Sequence, residues 1–376
     1  MRTQLAVVAG VLVVVALVGG AVGMAAADDP TRAGDRSPGV TSQSAAPVPQ
    51  TDTDDGTCSF PLSTTDATGR TVTLESPPER IVTTNPSAAQ TLWELGARDR
   101  VVGVTQYASY LEGTARRTNV SAAGLGVSVE RVVGADPDLV MAPNASADQV
   151  ESLREAGLTV YHFPAATSIA DIADKTTTTG RLVGACAAAA DTNAEMRAAV
   201  NTTRNRTAGI DRPAALYPLG GGFVAGGDTF ITAVMEVGGL ENVAAEYAGY
   251  PQLSDEVVLQ ADPDVLVVTD PDAPILDEEP YASTTAGRTD RVVVVEVQWM
   301  NQPAPRSVVE ATTTIADAVA AFEETPSDND GASTDTADGE ADSTASETGA
   351  AAPGFGVPVA VLAVLLGLLG ATRHRP

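Results

Sequence analysis

"SVERVVGADPDLV" spans Ser128–Val140, and "SDEVVLQADPDVL" spans Ser254–Leu266. The two align without a gap at an offset of 126 residues: Ser opens each, Glu follows two places on, and Ala-Asp-Pro-Asp leads into an apolar run. Solenoid repeats recur every ~20–50 residues, whereas an interval this long is the size of a whole lobe. "LWELGA" (Leu92–Ala97) and "VMEVGG" (Val234–Gly239) extend the echo, each closing a helical pattern with glycine. The spacing predicts two related lobes.

Short apolar runs bounded by turn residues support that reading. "RIVTTNP", "DLVMAP", "TVYHF", "AALYPL", "DVLVVT" and "RVVVVEV" alternate with helical patterns, which predicts an α/β fold with mostly parallel sheets. Between the halves, Ser168–Ile210 has no interior proline and keeps helical spacing, so one long connecting helix is expected there, with Gly180 or Gly184 as the place for a break. The resulting division is an N-terminal lobe over 58–167, the connecting helix over 168–210 and a C-terminal lobe over 211–324. A ligand cleft is expected between the lobes.

The ends read differently. Residues 1–27 join an early Arg2, an apolar run and Ala25-Ala26-Ala27, the layout of a signal peptide. Residues 28–57 and 325–352 are linkers, the second an acidic Ser/Thr-rich tether. Residues 353–376 run from Pro353-Gly354-Phe355 through an apolar stretch to Arg373 and Arg375, marginal for a bilayer core of ~30 Å. This tail resembles the PGF-type C-terminal sorting signal of archaeal surface proteins, which implies removal of the tail and anchoring through a lipid. Asn119, Asn144, Asn201 and Asn205 stand in Asn-x-Ser/Thr sequons.

A formal charge of −27 argues against nucleic acid as a partner and fits a surface kept hydrated in high salt. A hydrophobic content of 44% requires a folded interior. Catalytic patterns are missing: no HExxH, P-loop, G-x-S-x-G or Cys-x-x-Cys occurs, so neither an enzyme nor a metal centre is expected. His162 ends a strand pattern and reads as a packed residue. The only two cysteines, Cys58 and Cys186, lie in the globular part of an exported chain and are expected to pair.

Aromatic residues make up only 4% of the chain, yet Tyr107, Tyr110, Phe223, Tyr250 and Trp299 cluster after strand patterns in both halves. Strand exits are where α/β folds open ligand crevices. Gly220-Gly221-Gly222 and Gly226-Gly227 flank Phe223 as a cleft-edge loop offering backbone polar groups, and Asn85 sits in the turn after the short buried strand pattern Ile81–Thr84. Tyr107, Phe223, Tyr250, Trp299, Asn85 and Gly222 form the candidate ligand-binding set.

"RIVTTNPSAAQTLWELGARDRVVGVTQYASY", "VERVVGADPDLV", "PQLSDEVVLQADPDVLVVT" and "WMNQPAPR", in that order, resemble the substrate-binding proteins of ABC importers for cobalamin and iron-siderophores. The resemblance implies two α/β lobes bridged by a rigid helix, a corrinoid in the groove and no cofactor of the protein's own. It also implies a monomer that docks on a permease dimer with its ATPase at the outer face of the membrane. Tyr107, Phe223, Tyr250 and Trp299 fall where that family has cleft aromatics, while Gly124 and Pro143 stand in place of two cleft tryptophans. Glu130 and Glu256 match the glutamates through which the family docks on permease arginines. The alternatives are a ferric-siderophore or haem carrier of the same class and, from another class, a surface adhesin or structural glycoprotein.

Overall fold

The computed structural model describes residues 58–124 and 126–324. The expected signal peptide, both linkers and the C-terminal sorting segment lie outside the described residues. The chain opens with an antiparallel hairpin of β1 (Leu62–Thr65) and β2 (Thr71–Leu74). Then follow β3 (Ile81–Thr83), α1 (Pro86–Glu94), β4 (Val101–Val104), β5 (Thr118–Asn119), α2 (Val129–Gly134), β6 (Leu139–Ala142), α3 (Ala147–Glu155) and β7 (Val160–His162). The strands after the hairpin form one parallel sheet in the order β5-β4-β3-β6-β7.

Two helices, α4 (Ile169–Val183) and α5 (Cys186–Thr207), lead to the second lobe. It contains β8 (Ala214–Leu216), β9 (Pro218–Gly220), β10 (Phe223–Val224), α6 (Phe230–Val237), β11 (Glu241–Asn242), α7 (Asp255–Ala261), β12 (Val265–Val268), α8 (Thr285–Thr289), β13 (Val292–Val294), α9 (Val297–Met300) and α10 (Pro305–Glu324). Its parallel sheet runs β11-β8-β12-β13, and β9 and β10 form a separate hairpin. The order β4-β3-β6-β7 in the first sheet therefore matches β11-β8-β12-β13 in the second, strand for strand. The lobes share one topology.

Alternation along the strands explains why both sheets are covered on two faces. Ile81 faces the core that holds Leu92 and Leu139, whereas its neighbour Val82 joins Val132 and Leu153 on the other face. In the second lobe Val265 and Val267 meet Met235 and Ile315, while Leu266 packs with Val258 and Tyr281.

The duplicated segments have the same local structure. Ser128 and Ser254 cap α2 and α7, each hydroxyl accepting from the backbone N–H three residues on. Asp136 and Asp262 then adopt left-handed backbone at φ 50° and 37°, which aspartate tolerates. Asp138 donates its N–H to the Arg80 carbonyl and accepts the Arg80 N–H on its carboxylate. Asp264 makes the same reciprocal pair with Ala214. Each Ala-Asp-Pro-Asp thus pins the strand it begins to the first strand of its own sheet.

The connecting segment expected as one long helix over 168–210 is two helices, broken at Gly184, one of the two places expected for a break. Gly184 turns the chain at φ 70°, ending α4, and α5 folds back against it. Gly180 allows the close approach, because a Cβ there would lie 2.5 Å from that of Ala189. Asn193 on α5 donates to the Ala173 carbonyl on α4, holding the pair together. Both helices tie the lobes together: α4 places Ile172 and Ala173 in the second lobe's core and Leu182 and Val183 in the first lobe's, while α5 places Met196 and Val200 in the second lobe's core and starts at the disulfide-bonded Cys186. A disulfide joins Cys58 to Cys186 at the helix break.

Candidate functional site

Because each sheet is parallel, its strands all exit at one edge, and the loops there carry the predicted side chains. Asn85, directly after β3, caps α1: its side chain accepts from Ser87 N at 2.9 Å. Tyr107, two residues beyond the β4 exit at Thr105, is 43% exposed and donates its hydroxyl to the Gly124 carbonyl. Phe223 is 39% exposed beside the Gly220–Gly222 turn.

Phe223 and Tyr250 ride on two segments zipped together. Val224 N–H donates to Pro251 O, Leu253 N–H to Gly222 O, and the Gln252 side chain to Gly221 O. Gly226 and Gly227 continue the zip, donating their N–H groups to Gly249 O and Tyr247 O. Of the backbone groups expected to offer themselves from Gly220–Gly227, the amides of Gly226 and Gly227 and the carbonyls of Gly221 and Gly222 are bonded within the lobe. Tyr250 is half-buried against the core, and Tyr217 beneath it has its phenol pushed up to about 12 by burial.

Trp299, in α9 after β13, lies where the two lobes touch. Its ring meets Tyr110 of the first lobe edge-on, with centroids 5.8 Å apart, and Arg306 stacks on it at 4.7 Å. It also packs on the second lobe's core, so it serves as a link between lobes as well as a strand-exit aromatic.

Behind this contact, α1, α4 and α10 meet through buried polar groups. Tyr110 donates its hydroxyl to Gln90 Oε1, and Gln90 Nε2 donates to Ser307 Oγ at 3.0 Å. Lys175 on α4 donates to Ser87 Oγ in the first lobe at 2.9 Å and to the Pro303 carbonyl in the second at 3.0 Å. One ammonium thus holds both lobes. Burial pushes Lys175 down to about 8 and Glu94 up to about 7, and Glu94 accepts from the Arg306 N–H. Sequence reasoning missed this junction. A signal was present, since Lys175 is the sole lysine among 22 basic residues.

Glu130 and Glu256 are exposed in the first turns of α2 and α7. His162 is buried at the end of β7 with Nδ1 3.0 Å from the Ala142 carbonyl. Among the described residues no group of His, Cys, Asp and Glu could hold a metal ion, and no helix is long and apolar enough to cross a membrane.

The family model for periplasmic binding proteins matches residues 81–297. The chain belongs to the periplasmic binding protein family. The Halobacterium salinarum protein named "Cobalamin-binding protein" is 49% identical over 270 residues, covering 68% of this chain and 73% of that protein. Among solved structures, the apo periplasmic heme-binding protein RhuT from Roseiflexus sp. RS-1 has a TM-score of 0.57 at 25% identity, covering 64% of this chain and 99% of RhuT. The vitamin B12 binding protein BtuF of Vibrio cholerae has a TM-score of 0.57 at 22% identity, covering 66% of this chain and 99% of BtuF, a likeness of fold. The two parallel-sheet lobes are the architecture of this family.

Proposed function

We propose that this binding protein captures cobalamin or a close corrinoid outside the cell and hands it to the permease of an ABC importer. The observation that carries the reading is the 49% identity to a protein named for cobalamin binding, over a span that takes in both lobes. The strand-exit aromatics suit such a ligand, because a corrin is a broad apolar disc and flat rings supply contact area at low entropic cost. In this reading Tyr107 and Asn85 come from the first lobe, and Phe223, Tyr250, Trp299 and Gly222 from the second. The protein performs no chemistry on its cargo. Glu130 and Glu256 present one carboxylate per lobe to basic side chains of a dimeric permease served by its ATPase. Export and attachment at the outer face through the processed C-terminus complete the reading.

A ferric chelate or haem is the second reading, favoured by the exposed phenol of Tyr107, an oxygen donor suited to ferric iron. Gel filtration in high salt with cyanocobalamin, and separately with haemin, tests both. Visible absorbance of the corrin co-eluting with the protein is the expected result. Co-elution of haemin alone would replace the first reading with the second, and co-elution of neither would remove both.

A further inference from the structure

Two exposed side chains outside the candidate ligand set stand apart. Val133 on α2 is 44% exposed and Leu259 on α7 is 43% exposed, both large aliphatics left in water. They occupy the same place in the duplicated segments, at the offset of 126 residues that relates Glu130 to Glu256. The residue before each, Val132 or Val258, is fully buried and anchors its helix to its lobe. On a helix, positions three apart share a face, so each exposed aliphatic lies beside an exposed carboxylate. Among the described residues neither Glu130 nor Glu256 takes part in an ion pair.

Both helices precede a strand of their own sheet, so their first turns lie at the edge where the strands exit. One chain therefore carries two copies of a compact patch, a carboxylate next to an aliphatic side chain, at equivalent corners of its lobes. Single exposed aliphatics are ordinary on a protein surface. Two at matched positions, equally exposed and equally placed beside an unpaired acid, need a common cause.

We propose that Val133 and Leu259 are the apolar halves of a two-point docking surface for a homodimeric membrane partner. Each subunit of that partner presents a basic side chain beside an apolar recess. The acid supplies complementarity and orientation, and the aliphatic supplies the dry contact that slows dissociation. A pair of like patches on one monomer matches a partner with two like sites, which a two-fold dimer has. The inference rests on the docking reading of Glu130 and Glu256 and adds the second chemical element of each contact.

The test uses the full chain in its own cells, with a benzophenone amino acid placed singly at 130, 133, 256 or 259 and the cells irradiated. Positions 133 and 259 are expected to give adducts with one and the same integral membrane protein. Adducts from 130 and 256 without any from 133 and 259 would overturn the apolar half and leave the docking reading standing. No adduct from any position, or different proteins from the two lobes, would overturn both. Uptake of labelled cyanocobalamin gives a second readout. Val133→Asn with Leu259→Gln is expected to lower uptake about tenfold, a loss on the scale of one interface hot spot, with the purified protein's ligand affinity unchanged. Uptake equal to wild type, in cells where Glu130→Ala with Glu256→Ala abolishes it, would remove Val133 and Leu259 from the contact.

Discussion

Within the lobes, Leu92, Leu139, Met235 and Leu266 are fully buried among other apolar side chains. Between the lobes, α1, α4 and α10 meet through Ser87, Gln90, Lys175 and Ser307, also buried but joined by directional hydrogen bonds. Apolar contact is non-directional and stabilises many arrangements of similar density. A buried hydrogen-bond network is satisfied in one arrangement and penalises the rest. The lobes supply stability, and the junction fixes how they face each other. That division suits the proposed ligand surface, to which loops of both lobes contribute.

The largest expected effect tests the apolar side of this contrast. Leu139→Ala, in the middle of the first sheet, should cost about 2–5 kcal/mol in denaturant unfolding, as large-to-small changes in packed cores do. Ligand affinity of the remaining folded protein should be unchanged. A cost below about 1 kcal/mol would mean that the interior collapses around the loss.

Trp299 sits where the two regimes meet. Trp299→Ala should weaken corrinoid binding by about 2 kcal/mol, the scale of a lost aromatic hot spot. It also removes the edge-on contact with Tyr110, worth about 0.5–1.5 kcal/mol beyond area. Affinity and melting temperature measured together separate the roles. A lowered melting temperature with unchanged affinity would make Trp299 a seam residue alone.

The junction itself should respond most gently. Lys175→Met with Glu94→Gln removes one buried and one half-buried charge, each disfavoured by its surroundings, and removing such charges is often neutral or stabilising. Its signature is the dependence on pH. Folding holds Glu94 at about 7, above its ordinary 4.5, so its contribution is complete below pH 4.5 and is lost as pH rises through 7. Folding holds Lys175 at about 8, below its ordinary 10.5, so its contribution is complete above pH 10.5 and is lost as pH falls through 8. Both contributions are missing between about pH 7 and 8. Relative to the double variant, the wild type should therefore show a stability minimum there in urea unfolding across pH. Parallel profiles would mean that neither group is perturbed by the fold.

Much of the architecture was readable because it rests on apolar periodicity. The strands around Val82, Val140, Leu216 and Val267 announce themselves as short apolar runs, and the matched Ser and Asp positions announce the duplication. The helix break was harder. Helical spacing continues on both sides of Gly184 without a proline, so a break there could be expected, but only the fold shows that α5 turns back. The junction was opaque for a different reason. Ser87, Gln90 and Glu94 follow helical spacing and read as an ordinary solvated face, because sequence does not say that α10 covers them. The loop glycines misled in a similar way, since Gly226 and Gly227 serve a neighbouring loop of their own lobe.

The disulfide encloses more than it joins. Cys58 and Cys186 are 128 residues apart, and every strand of the first sheet lies between them. The first lobe is therefore a covalent ring, closed at the point where α4 gives way to α5. A backbone cut anywhere in that ring opens the circle without releasing a fragment. A nicked molecule would migrate as one species until it is reduced, and the second lobe would remain tethered to both severed ends.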